Sequence, residues 1–259
     1  MRPYSPGMTD VDRRGGAPPR EEATVGRRTL REEIVIVLAL TFLASATFAL
    51  IDLLSAPIKG VTVRLYPQVG LATQLADIVF GVVPVWLVLY LVRRSGEGVR
   101  AIGLDGSMVR RDVGRGLGLG LLVAGVGLGV YEAAVHLGVN RFVVPVPPLG
   151  HWWTVPVLVL GAAQIALLEE TIVAAYLLHR LDQLGWSRGR ALAASALLRG
   201  AYHLYQGWGG FLGNLALGLA FGYLYQRTRR AWPLVVAHFT VDVLAGLGYL
   251  VFRGKLTGI

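Results

Sequence analysis

Apolar stretches and polar breaks alternate along this chain at a near-regular interval. Residues 1–33 are polar, rich in Pro and Gly, and carry charges of both signs, as in Arg13-Arg14, Arg20-Glu21-Glu22 and Arg31-Glu32-Glu33. That pattern predicts a disordered tail running into an amphipathic lead-in. Seven apolar segments follow, at about 34–54, 71–92, 115–138, 153–178, 191–206, 210–226 and 232–252. Each is near the ~20 residues a helix needs to cross the hydrocarbon layer, and the first is too long for a secretory signal. The fifth and sixth are short, and the turn between them (Gln206 to Gly210) is placed to dip into the membrane. The prediction is an all-α fold: a polytopic integral membrane bundle of about seven transmembrane helices. Residues 1–33 form the cytoplasmic tail, 34–140 the N-terminal membrane helices, and 150–252 a C-terminal membrane core.

Composition supports this reading. The chain is 259 residues long, 54% hydrophobic and 16% charged, with 34 Gly and no Cys. A soluble domain of this length cannot hide so much apolar surface, so the excess must face lipid. An ordinary cytosolic enzyme and a secreted disulfide scaffold are both excluded. Tryptophan falls mostly at proposed segment ends (Trp86, Trp152, Trp153, Trp186, Trp208, Trp232), where an aromatic belt belongs.

The net charge of +9 invites a nucleic-acid reading until position is considered. With the N-terminus cytoplasmic, nineteen Lys and Arg fall in cytoplasmic segments and five outside, and only Arg199 lies within a span. The basic excess therefore sets orientation and favours anionic lipid; no nucleic-acid partner is expected. The expected location is the cell (inner) membrane, as a multi-pass protein.

Glycines crowd the third segment (Gly114, Gly116, Gly118, Gly120, Gly125, Gly127, Gly129), and a Gly/Asn stripe runs through the sixth (Gly210, Asn214, Gly218, Gly222). A phosphate-binding loop is not indicated, because no strand precedes the run and it lies within the membrane. Close helix packing through small residues is expected instead.

Ionisable groups at membrane depth cost at least ~2.5–3.5 kcal/mol each on insertion scales, so each needs a partner or a role. Asp52, Glu132 and His136 lie near outer ends and read as wet interfacial residues, and Asp77 as an interhelical contact. The last hundred residues differ. Glu169 and Glu170 interrupt LLEETIVAAYLL, His203 stands four residues after Arg199 in LLRGAYHLYQG, and His238 and Asp242 are four apart in VVAHFTVD. An i,i+4 pair shares one helix face, so His238 and Asp242 point the same way. Rough depths, at about 1.5 Å per residue, bring the three segments together in the cytoplasmic half of the bilayer. Such a set could hold a divalent metal through Glu169, His203, His238 and Asp242, with zinc the natural candidate. Equally, Glu could activate water while the imidazoles stabilise an oxyanion. Both routes lead to hydrolysis.

These three motifs, EExxx(R), (F)xxxH and HxxxN/D, resemble those of the CAAX-protease and bacteriocin-processing (CPBP, Abi-type) intramembrane proteases over about residues 150–250. The resemblance implies a CPBP-type intramembrane (metallo)endopeptidase acting on a membrane-associated peptide or protein near the cytoplasmic leaflet, with residues 150–252 as its catalytic core. Glu169 would be the general base, supported by Glu170. His203 and His238 would hold the water or a metal and stabilise the oxyanion, and Asp242 would orient the water or complete the coordination sphere. Two positions depart from the family pattern. Ala174 stands at the Arg of the first motif, and Arg199 at the aromatic position of the second. Arg199 is therefore read as the replacement counter-ion of Glu170. Two other classes are weighed against the protease: a non-catalytic scaffold or immunity-type protein that keeps the polar cluster, and a small proton-linked transporter. The latter lacks an internal inverted repeat or paired broken helices.

Overall fold

A computed structural model describes residues 25–253. The tail predicted for 1–33 thus lies mostly outside the described residues, and its last part is already helical. Seven long helices make up the described chain: α1 (Arg27–Ser55), α2 (Leu71–Arg94), α3 (Val109–His136), α4 (Thr154–Gln183), α5 (Arg188–Tyr202), α6 (Trp208–Thr228) and α7 (Trp232–Phe252). Each coincides with one apolar segment. All but α5 and α6 are long and apolar enough to cross a membrane by length and composition. The fold is an all-α membrane bundle.

Starts and stops follow local chemistry. The hydroxyl of Ser187 accepts from the amide of Arg190 and caps α5, and Pro233 occupies the first turn of α7, where its missing N–H costs nothing. Arg93 and Arg94 close α2, where cations suit the helix C-terminus. Outward-facing side chains remain apolar: Leu54, Phe80 and Leu122 are each more than 60% exposed, as a lipid-facing surface requires.

The bundle has two distinguishable faces. Strands β1 (Thr62–Arg64) and β2 (Phe142–Val144) pair in parallel, tying the α1–α2 and α3–α4 loops together on one face. On the opposite face Arg229 meets Asp182 at 2.7 Å, Arg180 meets Glu97 at 2.8 Å, and Arg230 meets Asp105 at 2.7 Å and also Asp112. That arginine-rich face is the cytoplasmic one by charge bias.

The glycine stripes pack selectively. A Cβ on Gly116 would lie 2.5 Å from Val236, and one on Gly120 2.7 Å from Thr240, so α3 and α7 touch backbone to backbone. Gly114, Gly118, Gly125, Gly127 and Gly129 meet nothing and face outward. Along α6, Gly218 presses on the Ala196 Cα of α5, and the Asn214 amide donates to its own helix at the Gly210 carbonyl.

Helix α5 has 15 residues, about 22 Å at 1.5 Å each, and stops short of the ~30 Å hydrocarbon layer. The 3₁₀ turn Leu204–Gln206 follows it, just before the turn expected at Gln206 to Gly210. Gly207 (φ +101°) is needed there, because a Cβ would sit 2.7 Å from the Val139 carbonyl. Arg141, 1% exposed, seals the corner. Its guanidinium bonds the Asp52 carboxylate and the carbonyls of Tyr205, Asp52 and Ala56.

Candidate active site

The site is built where α4 leaves regular α-helical winding. Residues Glu170–Tyr176 form a π-helical stretch, and α1 contains a second one, Ala39–Leu43, packed against α5. Adjacent residues on an α-helix diverge by about 100°, so two neighbouring glutamates cannot share one partner in a regular turn. The wider turn lets both approach one cluster, and such bulges recur at functional sites.

Glu170 faces inward and is fully buried. Its Oε1 accepts from Arg199 Nη1 at 2.7 Å and from His238 Nδ1 at 2.8 Å, while its Oε2 is buried without a partner. A carboxylate only accepts, so His238 carries its proton on Nδ1, and its Nε2 faces Asp242 Oδ2 at 3.5 Å. Arg199, 1% exposed, is the cation of this buried group; its Nη2 also lies 3.4 Å from Glu169 Oε2. A buried carboxylate pair without a cation would be very costly, and the guanidinium fork suits two carboxylates at once.

Glu169 faces the other way. It lines a cavity of about 450 Å³ together with His203, Tyr202, Tyr205 and Leu168, closed opposite by α1 residues that include Phe42 and Ala49. The Tyr202 hydroxyl donates to Glu169 Oε2 at 2.7 Å. His203 Nδ1 lies 2.9 Å from the Arg199 carbonyl, which can only accept, so Nδ1 is a donor and Nε2 is left free. Phe42 stacks on Tyr202 with ring centroids 4.5 Å apart, and Tyr202 on His203 at 4.7 Å, which holds the imidazole from one side.

The residues singled out in the sequence thus divide. Glu169 and His203 line the cavity, whereas Glu170, Arg199 and His238 form a dry group behind it, with Asp242 at its edge. Glu169 lies about midway along α4 and His203 just past the outer end of α5. The cavity lies between α1, the middle of α4 and the end of α5 remote from the arginine-rich face.

The donor set for a metal also differs from the one read in the sequence. Among the described residues, the group whose donor atoms lie within 4.8 Å of one another is Glu169, Glu170 and His238; His203 and Asp242 are not in it. Two carboxylates and an imidazole are suitable donor types for zinc. Arg199 already contacts the same two carboxylates and supplies the positive charge an ion would bring.

Three contributors were not singled out in the sequence. Tyr202 could have been flagged by its place directly before His203. Phe42 carried no signal, because an apolar residue on a spanning helix has no distinguishing neighbour. The Arg141–Asp52 clamp joins residues 89 positions apart that read separately as an outer-loop cation and an interfacial acid.

Residues 151–244 match the family model described as type II CAAX prenyl endopeptidase Rce1-like. No curated protein and no solved structure matches the chain. The match falls on the segment that carries all three motifs and bears out their resemblance to the CAAX-type intramembrane proteases.

Proposed function

We propose that this multi-pass membrane protein is an endopeptidase that hydrolyses a peptide bond of a membrane-associated peptide or protein, with Glu169 activating the water. The observation that carries the reading is the division of labour between neighbouring glutamates. Glu170 is fully buried and bonded through Oε1 to a buried cation and an imidazole, whereas Glu169 is held by Tyr202 and Arg199 with its carboxylate on the cavity. A base must be oriented and open to the reacting side, and Glu169 is bonded by Tyr202, lies beside Arg199 and lines the cavity.

The steps follow from the donors and acceptors present. Glu169 takes a proton from a water in the cavity as the hydroxyl adds to the substrate carbonyl carbon. The carbonyl oxygen gains the negative charge beside His203, whose ring lines the cavity with Nδ1 held by the Arg199 carbonyl. When the tetrahedral adduct collapses, the C–N bond breaks and Glu169 passes its proton to the departing amine. Arg199, Glu170 and His238 hold Glu169 and the Arg199 carbonyl that anchors His203; they act as positioning residues. A zinc-like ion bound at Glu169, Glu170 and His238 would polarise the carbonyl and lower the pKa of water. Every step above is accounted for by the chain's own groups.

The test is cleavage profiling of membranes holding wild type or Glu169→Gln, with and without a chelator. Removing the base should lower cleavage by about 10²–10⁴-fold, and chelation should leave wild type active. Cleavage by the variant at the wild-type rate would overturn the reading, and loss on chelation would reassign the activating group to a metal.

A further inference from the structure

We infer that Arg141, which does not itself line the cavity, is a positioning residue: it fastens the turn that carries His203 and Tyr205 to the Asp52 wall. The inference rests on the proposed hydrolytic function and adds to it a residue from outside the helices that carry the motifs.

Three observations carry it. The first is what the Arg141 side chain holds. The polar lining of the cavity is Ser45 and Asp52 of α1, Glu169 of α4, and Tyr202, His203 and Tyr205 at the end of α5. Arg141, in the loop between α3 and α4, joins two of these walls. Its Nη1 donates to the Asp52 carboxylate and, at 2.9 Å, to the Tyr205 carbonyl. Its Nη2 donates to the carbonyls of Asp52 at 3.2 Å and of Ala56 at 3.3 Å, where α1 ends.

The second is how His203 is carried. Helix α5 ends at Tyr202, so His203 lies beyond it and its place depends on the turn that follows. The Gln206 amide donates to the His203 carbonyl at 3.0 Å, and the Arg141 amide donates to the Gln206 carbonyl at 2.7 Å. Two backbone bonds thus connect Arg141 to His203. The imidazole is anchored through Nδ1 on the Arg199 carbonyl at 2.9 Å, so that bond and the turn together set the direction of the ring.

The third is that the turn has little stiffness of its own. Gly207 adopts φ +101°, and Gly209 and Gly210 follow it. Residues 139–141 supply the rigidity. The Gly209 amide donates to the Val139 carbonyl at 2.9 Å, and a Cβ on Gly209 would lie 2.9 Å from Asn140 Oδ1. Asn140 Nδ2 in turn donates to the Arg141 carbonyl at 2.9 Å. The turn is held by this neighbouring loop and not by its own conformational preference.

Burial makes these bonds obligatory. Arg141 is 1% exposed, and a guanidinium withdrawn from water must be met by acceptors. Its planar fork meets four of them from two nitrogens, which a lysine ammonium with all its donors on one nitrogen cannot do. Arg180 provides an internal comparison. It is equally buried and ion-paired, but its side-chain partners Glu97, Gln183 and Ser95 do not line the cavity. Losing either cation should cost stability, and only the loss of Arg141 should reach His203.

The test compares Arg141→Lys with Arg180→Lys in the full chain in detergent. It measures melting temperature, cleavage of a quenched fluorescent peptide spanning a site found by the profiling above, and imidazole NMR signals of histidine-labelled protein. Both variants should melt below wild type. Arg141→Lys should also lower kcat about ten- to a hundredfold with a much smaller change in KM. It should shift the His203 signal, identified by its absence in His203→Ala. Arg180→Lys should leave kcat and that signal near wild type. In a His203→Ala background, Arg141→Lys should add little to the loss. A wild-type kcat in Arg141→Lys, an equal loss in Arg180→Lys, or the full further loss in the His203→Ala background overturns the inference. Should Arg141→Lys fail to fold, Asp52→Asn breaks the ion pair alone and decides by the same readouts, with a smaller loss expected. The NMR signal keeps this result apart from the hydrolytic reading. If Glu169→Gln cleaves like wild type, that reading falls, while a shifted His203 signal in Arg141→Lys still shows that Arg141 sets the imidazole. An unshifted signal overturns the positioning role in either case.

Discussion

The two halves of α4 are built from similar sequence and treat charge in opposite ways. Its second half is buried without a break from Glu170 to Leu178, and the carboxylate within that stretch is matched by Arg199 and His238. The outer half ends at Glu169, whose carboxylate keeps one side on a cavity. A charge neutralised in a dry place organises structure, because moving any partner exposes a large desolvation cost. A charge oriented at the edge of a cavity is free to take up a proton. Adjacent residues thus serve different ends while sharing the Arg199 guanidinium.

The largest effect should come from breaking the dry half. Arg199→Met leaves Glu170 buried without its cation, and loss of one partner of a buried pair costs about 3–5 kcal/mol. Thermal unfolding in detergent should show a strong drop in melting temperature, together with loss of cleavage. Replacing both partners, as Arg199→Met with Glu170→Gln, should recover much of that stability, since an apolar or neutral pair carries no stranded charge. If the single variant melts like wild type, Glu170 is not held by Arg199 and the contrast between the two halves collapses.

The contrast also marks how far the sequence could be read. Hydrophobic periodicity located all seven helices and charge bias oriented them, because both signals are set by the bilayer and act on whole segments. The meeting of Glu169, Glu170, His238 and Arg199 was legible too, because ionisable residues are rare at membrane depth and must find one another. What could not be read depends on geometry finer than helix identity. The π-turns at Ala39–Leu43 and Glu170–Tyr176 have no compositional mark. Whether His203 belongs to the dry group or the cavity depends on α5 ending at Tyr202, one residue earlier.

A smaller effect tests the open half. Tyr202→Phe keeps the ring packed on Phe42 and removes the hydroxyl that donates to Glu169. A hydrogen bond to a charged group contributes about 1.5–3 kcal/mol, so kcat should fall about 10- to 150-fold. KM and melting temperature should stay near wild type. In a Glu169→Gln background the same substitution should add little, because the group it orients is gone. A full additional loss in that background would mean that Tyr202 acts on the substrate and not through Glu169.

The smallest effect lies at the cytoplasmic rim, where the closed half meets water. Hydrogen bonds from the Ser107 hydroxyl and amide, aided by Arg230 and Arg100, hold the Asp105 carboxyl down at about 2. Its unfolded value is about 3.9, so the folded state favours the ionised form. The resulting stabilisation is complete above about pH 4 and is lost as pH falls through about 2. Asp105→Asn should therefore melt slightly below wild type near neutral pH, with the gap closing across that acid range. Because Arg230 also holds Asp112, and the Ala231 amide still donates to the Gly103 carbonyl, the rim should stay assembled in the variant. Cleavage should then be unchanged. If Asp105→Asn alters cleavage, the rim ion pairs and the cavity are coupled, and the two halves of α4 do not work independently.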